Sequence, residues 1–346
     1  MNAPALRERL PVLRAMLDEQ LSFGELSRLL DEEDDDALAL ARRVLHGPLA
    51  DVLARPGKEV RARLVAYGYA IARRPGSPEL PPELPQLVEM LHAGSLVVDD
   101  IEDEATERRG APALHVTHGV PVALNAGNWL YFWPLVALSR LPLAPPVLAA
   151  MHAEVSSTML RCHHGQALDL GVRVHEVSPR ELPAAVLLST RLKTGSLLEL
   201  SLRLGALAAD APPETVKALG LLGREAGIAL QTLDDLGSVT SPARRAKALE
   251  DLGAARLTWP WAFLAESADE LTVRSLQRAL ATQKNLDHFL DAFRAHVDLA
   301  WKRAPRARLD AAIARLRDHL AVHQPGPSAK LESLVRDLRT LEQSYE

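Results

Sequence analysis

Apolar residues return every three or four positions along nearly the whole chain, and no stretch alternates convincingly at period two. The pattern predicts an all-α fold. Leu84, Leu87, Val88, Leu91, Ser95 and Val98 follow the rhythm of one helix face, and runs 147–170, 182–209, 213–236, 271–297 and 307–322 read as further helices. Pro56-Gly57, Pro75-Gly76, Pro81-Pro82, Pro212-Pro213 and Pro325-Gly326-Pro327 punctuate them. None of these breaks is long enough to be a domain linker, so a single domain is expected.

The segment from Gly110 to Ser139 contains no Lys, Arg, Asp or Glu and is long enough to span a bilayer. Pro121, Pro134, Asn125 and Asn128 interrupt it, with His115 and His118 near its start. A loop followed by a deeply buried helix accounts for it better than a transmembrane span. The N-terminus carries charges throughout and lacks the apolar core of a signal peptide.

With 40 basic and 45 acidic residues the net charge is −5, which gives no global basic field for nucleic acid or anionic lipid. Cys162 stands alone, which excludes an internal disulfide and suits a reducing compartment such as the cytoplasm. The acidic run from Asp31 to Asp36 reads as a solvated loop entering a helix whose N-terminus favours negative charge. A metal site is the alternative.

Candidate chemistry lies elsewhere. Asp99 and Asp103 are four apart and Asp100 and Asp103 three apart, so each spacing puts carboxylates on one helix face. Crowded carboxylates repel one another unless a cation joins them. Hard oxygen ligands suit Mg²⁺, which keeps several waters and takes phosphate oxygens as remaining ligands. An acidic helix end beneath an apolar wall therefore suggests a diphosphate above a hydrocarbon tail. A second pair, Asp234-Asp235, ends another apolar run, with Gln231 one turn before Asp235. If the two helices face each other, these aspartates can hold a metal cluster. Basic residues flank the acids: Arg108 and Arg109 before Gly110, Lys58 and Arg61 after Gly57, and Lys193-Thr194-Gly195 interrupting an apolar helix. Guanidinium forks and lysine charges suit phosphate oxygens, although each alone is commonly a surface charge.

The stretch from Leu91 to Phe132 resembles the trans-isoprenyl diphosphate synthases, closest to the eukaryotic type of geranylgeranyl diphosphate synthase. The resemblance runs from Pro56-Gly57-Lys58 to about Pro260 and takes in His164-Gly165-Gln166 with Asp169, Lys193-Thr194-Gly195, Gln231-x-x-Asp234-Asp235 and Glu250-Asp251-Leu252. It implies an isoprenoid synthase fold over 1–346, one helical bundle around a central apolar cavity. Residues 1–50 would be an N-terminal helical extension and 325–346 a C-terminal helical tail.

The resemblance also implies roles. Asp99 and Asp103 would hold two Mg²⁺ on an allylic diphosphate, with Asp100 supporting them, and Asp234 a third Mg²⁺. Arg108 and Lys193 would contact the allylic diphosphate, and Thr194, Gln231 and Asp235 belong to the same site. Gly57, Lys58, Arg61, His92 and Arg109 would bind isopentenyl diphosphate. A homodimer is implied as well. The chain departs from the family at Ser238, where the second motif often has Asp, and at Arg256, where Lys is usual; Lys247 stands one residue from an expected Lys.

A prenyl unit is about as long as one helical turn, roughly 5 Å. Gly94 and Ser95, one turn below Asp99, are too small to stop a growing chain. Leu91 lies a further turn down, and Trp129, Phe132 and Trp133 could supply a floor or simply be core. These positions predict a C20 product, with C15 or C25 as alternatives. A class I terpene cyclase, a prenyltransferase to another acceptor, and a non-catalytic regulatory subunit are the competing functions.

Overall fold

The structure, a computed structural model, describes residues 15–55, 57–282, 286–296, 299–323 and 329–344. Pro56 and Pro325-Gly326-Pro327 lie outside the described residues, as do the first fourteen positions. The described chain is helical apart from loops and one two-stranded antiparallel hairpin pairing Glu107–Arg108 with Ala111–Pro112. Its residues fall into two compact units, one drawn from Met1–Arg63 and Leu80–His152, the other from Leu64–Glu79 and Ala153–Glu346.

In the first unit, α1 (Phe23–Leu30) and α2 (Asp35–Ala54) each start on a side-chain cap. Asp34 accepts the backbone N–H of Ala37, and Asp35 and Asp36 sit in the first turn of α2, where the positive end of the helix dipole favours them. The acidic run is thus a helix start. Helix α3 (Val60–Ala72) follows, its residues from Leu64 onward belonging to the second unit, then α4 (Leu84–Glu102), α5 (Leu114–His118) and α6 (Val120–Leu138). Helices α4 and α6 pack tightly because Gly94 and Gly127 meet: a methyl on Gly94 would lie 2.8 Å from the Gly127 carbonyl. The charge-free segment folds into the hairpin, α5 and α6. Only one side of α6 is buried; Val120, Val122, Leu124, Phe132 and Val136 on its other side are exposed, which corrects the expectation of a deeply buried helix. Nineteen residues expose more than one face, and α4 covers only one of them. Among the described residues no helix is long and apolar enough to cross a membrane.

The second unit takes in α7 (Pro145–Gly171) from Ala153 onward, α8 (Leu182–Thr190), α9 (Ser196–Ala208) and α10 (Pro213–Thr240), with a five-residue π-helical segment, Arg191–Gly195, joining α8 to α9. Helices α11 (Arg245–Gly253), α12 (Trp259–Ser267), α13 (Glu270–Leu280), α14 (Asp287–His296), α15 (Leu299–His323) and α16 (Ala329–Gln343) complete it. Trp261 meets Phe293 edge-on at 4.9 Å and Phe263 stacks on Trp301 at 5.2 Å, anchoring α12 in the core. The predicted helix 271–297 is two helices. Thr282 turns the chain with a tight backbone bond to Ala279 and a hydroxyl bond in the same direction, and Asp287 opens a new first turn. The helix predicted at 307–322 starts earlier, before Pro305, with Trp301 buried.

Candidate functional site

The first acidic motif ends α4. Asp99 and Asp103 are half-buried one turn apart, and Asp103 caps the helix by donating its N–H to the Asp99 carbonyl at 2.9 Å. Asp100 differs from both. It is 3% exposed and takes the Arg108 guanidinium, with Nε at 2.7 Å. Burial raises the Asp100 pKa; the Arg108 ion pair opposes this without cancelling it. Burial works against the Arg108 charge too, but its hydrogen bond to Asp100 raises its pKa overall. Asp100 therefore orients an arginine, while Asp99 and Asp103 remain the candidate metal ligands of this motif.

The hairpin places the two arginines. Arg109 and Gly110, with φ of 57° and 75°, form its turn, and two consecutive positive-φ residues match the right-handed twist of a tight hairpin. Arg108 thereby turns toward Asp100, and Arg109 lies over Gly57, where a methyl would come within 3.1 Å of its guanidinium. Arg55, held by Asp51 at 3.0–3.1 Å, brackets the hairpin: it donates to the Arg108 carbonyl at 3.5 Å, and its own carbonyl accepts from Arg109 at 3.4 Å. From α4, Glu89 accepts the backbone N–H groups of Arg61 and Ala62, both at 3.1 Å, and so fixes the start of α3. His92 sits among these cations. Burial, then Arg61, Arg109 and Arg108, hold its pKa well below the usual imidazole range, and its buried Nδ1 has no hydrogen-bond partner. A neutral imidazole among three guanidinium groups forms a site that favours an anion.

The second unit carries the other candidates. Asp234 pairs with Arg244 and Lys247. Burial opposes its charge, but Lys247 and Arg244 prevail and its pKa falls. The one-residue sequence offset of Lys247 is thus immaterial to its reach. Asp235 is pushed up to about 7 by burial, although the Trp259 backbone N–H and the Gln231 amide both donate to it. Asp251, beside Arg256 at 3.2 Å, is likewise pushed up by burial, to about 6. Lys193, on the π-helical segment, donates to Asp169 at 2.7 Å. Ser238 is buried and donates to the Asp235 carbonyl at 2.7 Å, so its hydroxyl is turned into the helix.

Asp99 and Asp103 have the hard-oxygen donor set and one-turn spacing that suit Mg²⁺. Among the described residues no three His, Cys, Asp or Glu side chains converge on a metal position. Magnesium at this helix end would take its remaining ligands from water and diphosphate. At Asp234 a further ion would need Arg244 or Lys247 to release an oxygen. The chain-length candidates divide. Leu91 is buried, and Ser95 is half-buried with its hydroxyl on the His92 carbonyl. Gly94 faces α6. Trp129 and Trp133 lie 4.8 Å apart on α6, whereas Phe132 is 67% exposed and forms no floor within this chain. Asp51, Arg55, Glu89, Arg244 and Trp259 were not legible as site residues. Only the proximity of Arg55 to Gly57 and Lys58 hinted at one of them.

Residues 42–294 match the polyprenyl synthetase family. Geranylgeranyl pyrophosphate synthase 2 of Zymoseptoria tritici is 32% identical over 258 residues, 72% of this chain and 74% of that protein. A geranylgeranyl pyrophosphate synthase of Eremothecium gossypii is 30% identical over 207 residues, 58% of this chain and 62% of that protein. The matched stretch thus spans between three fifths and three quarters of these two relatives. Among solved structures, a geranylgeranyl pyrophosphate synthase from Corynebacterium glutamicum, complexed with isoprenyl diphosphate and magnesium, superposes with a TM-score of 0.75 at 22% identity, covering 97% of this chain and 98% of that one. A decaprenyl diphosphate synthase from Rhodobacter capsulatus gives 0.74 at 20% identity, covering 99% and 98%.

Proposed function

Because this chain belongs to the polyprenyl synthetase family, we propose that it condenses isopentenyl diphosphate with an allylic prenyl diphosphate, yielding an all-trans prenyl diphosphate of C20 length. The observation that carries this reading is the cluster of His92, Arg61, Arg108 and Arg109 beside the Asp99 helix end. It supplies a diphosphate site in addition to the metal-binding carboxylates. A cyclase, which has one diphosphate to hold, has no use for it.

In this reading Asp99 and Asp103 hold magnesium, which when bound neutralises charge on the leaving diphosphate. Lys193 grips the allylic diphosphate. The allylic C–O bond breaks, and its electrons leave on the diphosphate. The alkene of isopentenyl diphosphate then bonds to the allylic carbon, and a proton is lost to the released diphosphate. Arg61, Arg109 and neutral His92 orient isopentenyl diphosphate, and Arg108, braced by Asp100, adds fixed positive charge. Apolar walls keep water from the cation. The names of the Zymoseptoria and Eremothecium relatives, both geranylgeranyl synthases, support C20. The exposed apolar side of α6 supports a homodimer through that face.

The test is incubation with Mg²⁺, radiolabelled isopentenyl diphosphate and each allylic primer, with products identified by length. Incorporation into a C20 diphosphate is expected. No incorporation with any primer, together with hydrocarbon release from a longer diphosphate, would overturn the reading in favour of cyclisation. Light scattering of the purified protein tests the dimer: a twofold mass that falls on replacing Val122 and Phe132 with Ser is expected, and a monomer refutes it.

A further inference from the structure

A π-helical turn carries one residue more than an α-turn, is weakly stable by itself, and recurs at functional sites. Here it spans Arg191–Gly195 and presents Lys193 to Asp169. Two glycines let neighbouring helices close on it. A methyl on Gly165 would lie 2.8 Å from the Lys193 Cγ, and one on Gly227 would lie 2.8 Å from the Gly195 Cα.

Hydrogen bonds close a circuit around the turn. Near its C-terminal end, the Thr194 hydroxyl donates to Gln231 Oε1 at 2.9 Å, and Gln231 Nε2 donates to Asp235 at 2.8 Å. The other oxygen of Asp235 accepts the Trp259 backbone N–H at 3.0 Å. The Trp259 indole then donates to the Thr190 hydroxyl at 3.1 Å, immediately before the turn. Thr190, Asp235 and Trp259 are all buried. The circuit therefore grips the π-turn at both ends and ties it to α10 and to the start of α12. With Asp235 ionised, Gln231 serves both neighbours with its oxygen toward the hydroxyl and its nitrogen toward the carboxylate.

We propose that Thr190 and Trp259 are positioning residues that hold the π-turn and thereby aim Lys193 at the allylic diphosphate. The second half of this statement rests on the function proposed above. The first half does not. Both act through the backbone that carries Lys193.

The variants are Trp259→Phe, which keeps a ring against Phe263 at the present 5.5 Å but removes the indole donor, and Thr190→Val, which removes the acceptor at constant shape. Hydrogen–deuterium exchange of the metal-free full-length protein reads the clamp directly. Each variant is expected to speed exchange across 190–195 about fivefold, the effect of one neutral hydrogen bond, with distant helices unchanged. Thr190→Ser restores the wild-type rate. In steady state, KM for the allylic diphosphate rises about fivefold while KM for isopentenyl diphosphate stays fixed. Unchanged exchange at 190–195, or equal acceleration over all of α8 to α12, overturns the proposal. If Trp259→Phe does not fold, Thr190→Val alone decides it. If exchange rises but the wild-type protein transfers no prenyl group to isopentenyl diphosphate, the clamp stands and the functional reading falls.

Discussion

Replacing Gly227 with Ala tests the packing that places Lys193. In an exposed helix this change stabilises by about 1 kcal/mol, because alanine has the higher helix propensity. Gly227 lies inside α10, yet its new methyl would sit 2.8 Å from the Gly195 Cα, 2.9 Å from the Thr194 carbonyl oxygen and 3.1 Å from the Gly195 nitrogen. Ordinary contacts between carbon atoms lie at about 3.5–4.0 Å. The backbones must part by roughly 0.7 Å or more, and all three obstructing atoms are backbone, so no side chain can swing aside. Overpacking of this kind costs about 1–3 kcal/mol, leaving a net loss of up to about 2 kcal/mol after the propensity gain is subtracted. The displaced atoms adjoin Lys193, and a misplacement approaching 1 Å lowers kcat/KM by about tenfold or more. Urea titration followed by tryptophan fluorescence measures the first effect, and steady-state kinetics the second. Gly24→Ala is the control: its methyl meets nothing within 4 Å, so stability should hold or rise. A Gly227→Ala protein as stable and active as its parent would refute the reasoning.

Asp99→Ala should abolish product formation while leaving the far-ultraviolet spectrum and melting temperature near those of the parent; near-normal turnover would remove Asp99 from the metal site. Trp129→Ala should lengthen the product, whereas Phe132→Ala should not, since Phe132 is exposed; gas chromatography of the dephosphorylated alcohols separates the two outcomes. The depressed pKa of His92 gives a sign for pH dependence. Below the ordinary imidazole range the unfolded chain binds a proton that folded His92 refuses, so this contribution is present above about pH 6.5 and lost as pH falls. His92→Gln should therefore flatten the acid side of the stability profile by up to about 1.4 kcal/mol per pH unit, and an unchanged slope in chemical denaturation would contradict the burial of His92.

How much was legible in the sequence follows a physical division. Hydrophobic period reports which residues share a helix face, so the all-α fold and the end of α4 could be read directly, whereas α10 runs on past the predicted 236 to Thr240. Carboxylate spacing within one helix is also local, which is why Asp99, Asp103, Asp234 and Asp235 stood out. Period says nothing of what covers a face. The apolar segment around α6 therefore read as deeply buried, yet only its α4 side is, and Phe132 points outward. Nor does spacing reveal pairings made across helices. Lys247 looked displaced by one residue but reaches Asp234, and Asp100, expected to support the metal ligands, pairs with Arg108.

The sequence by itself determined the helical class, the two acidic pairs, of which only the first ends its helix, and the basic residues near them, because each depends on neighbours within a turn or two. The tertiary structure alone decided which acids are paired, that His92 is held neutral among arginines, and that the Trp259 indole bonds to Thr190 at the start of a π-turn. Those outcomes depend on side chains brought together from distant segments, and on how far each is removed from water. Neither quantity is encoded in local spacing.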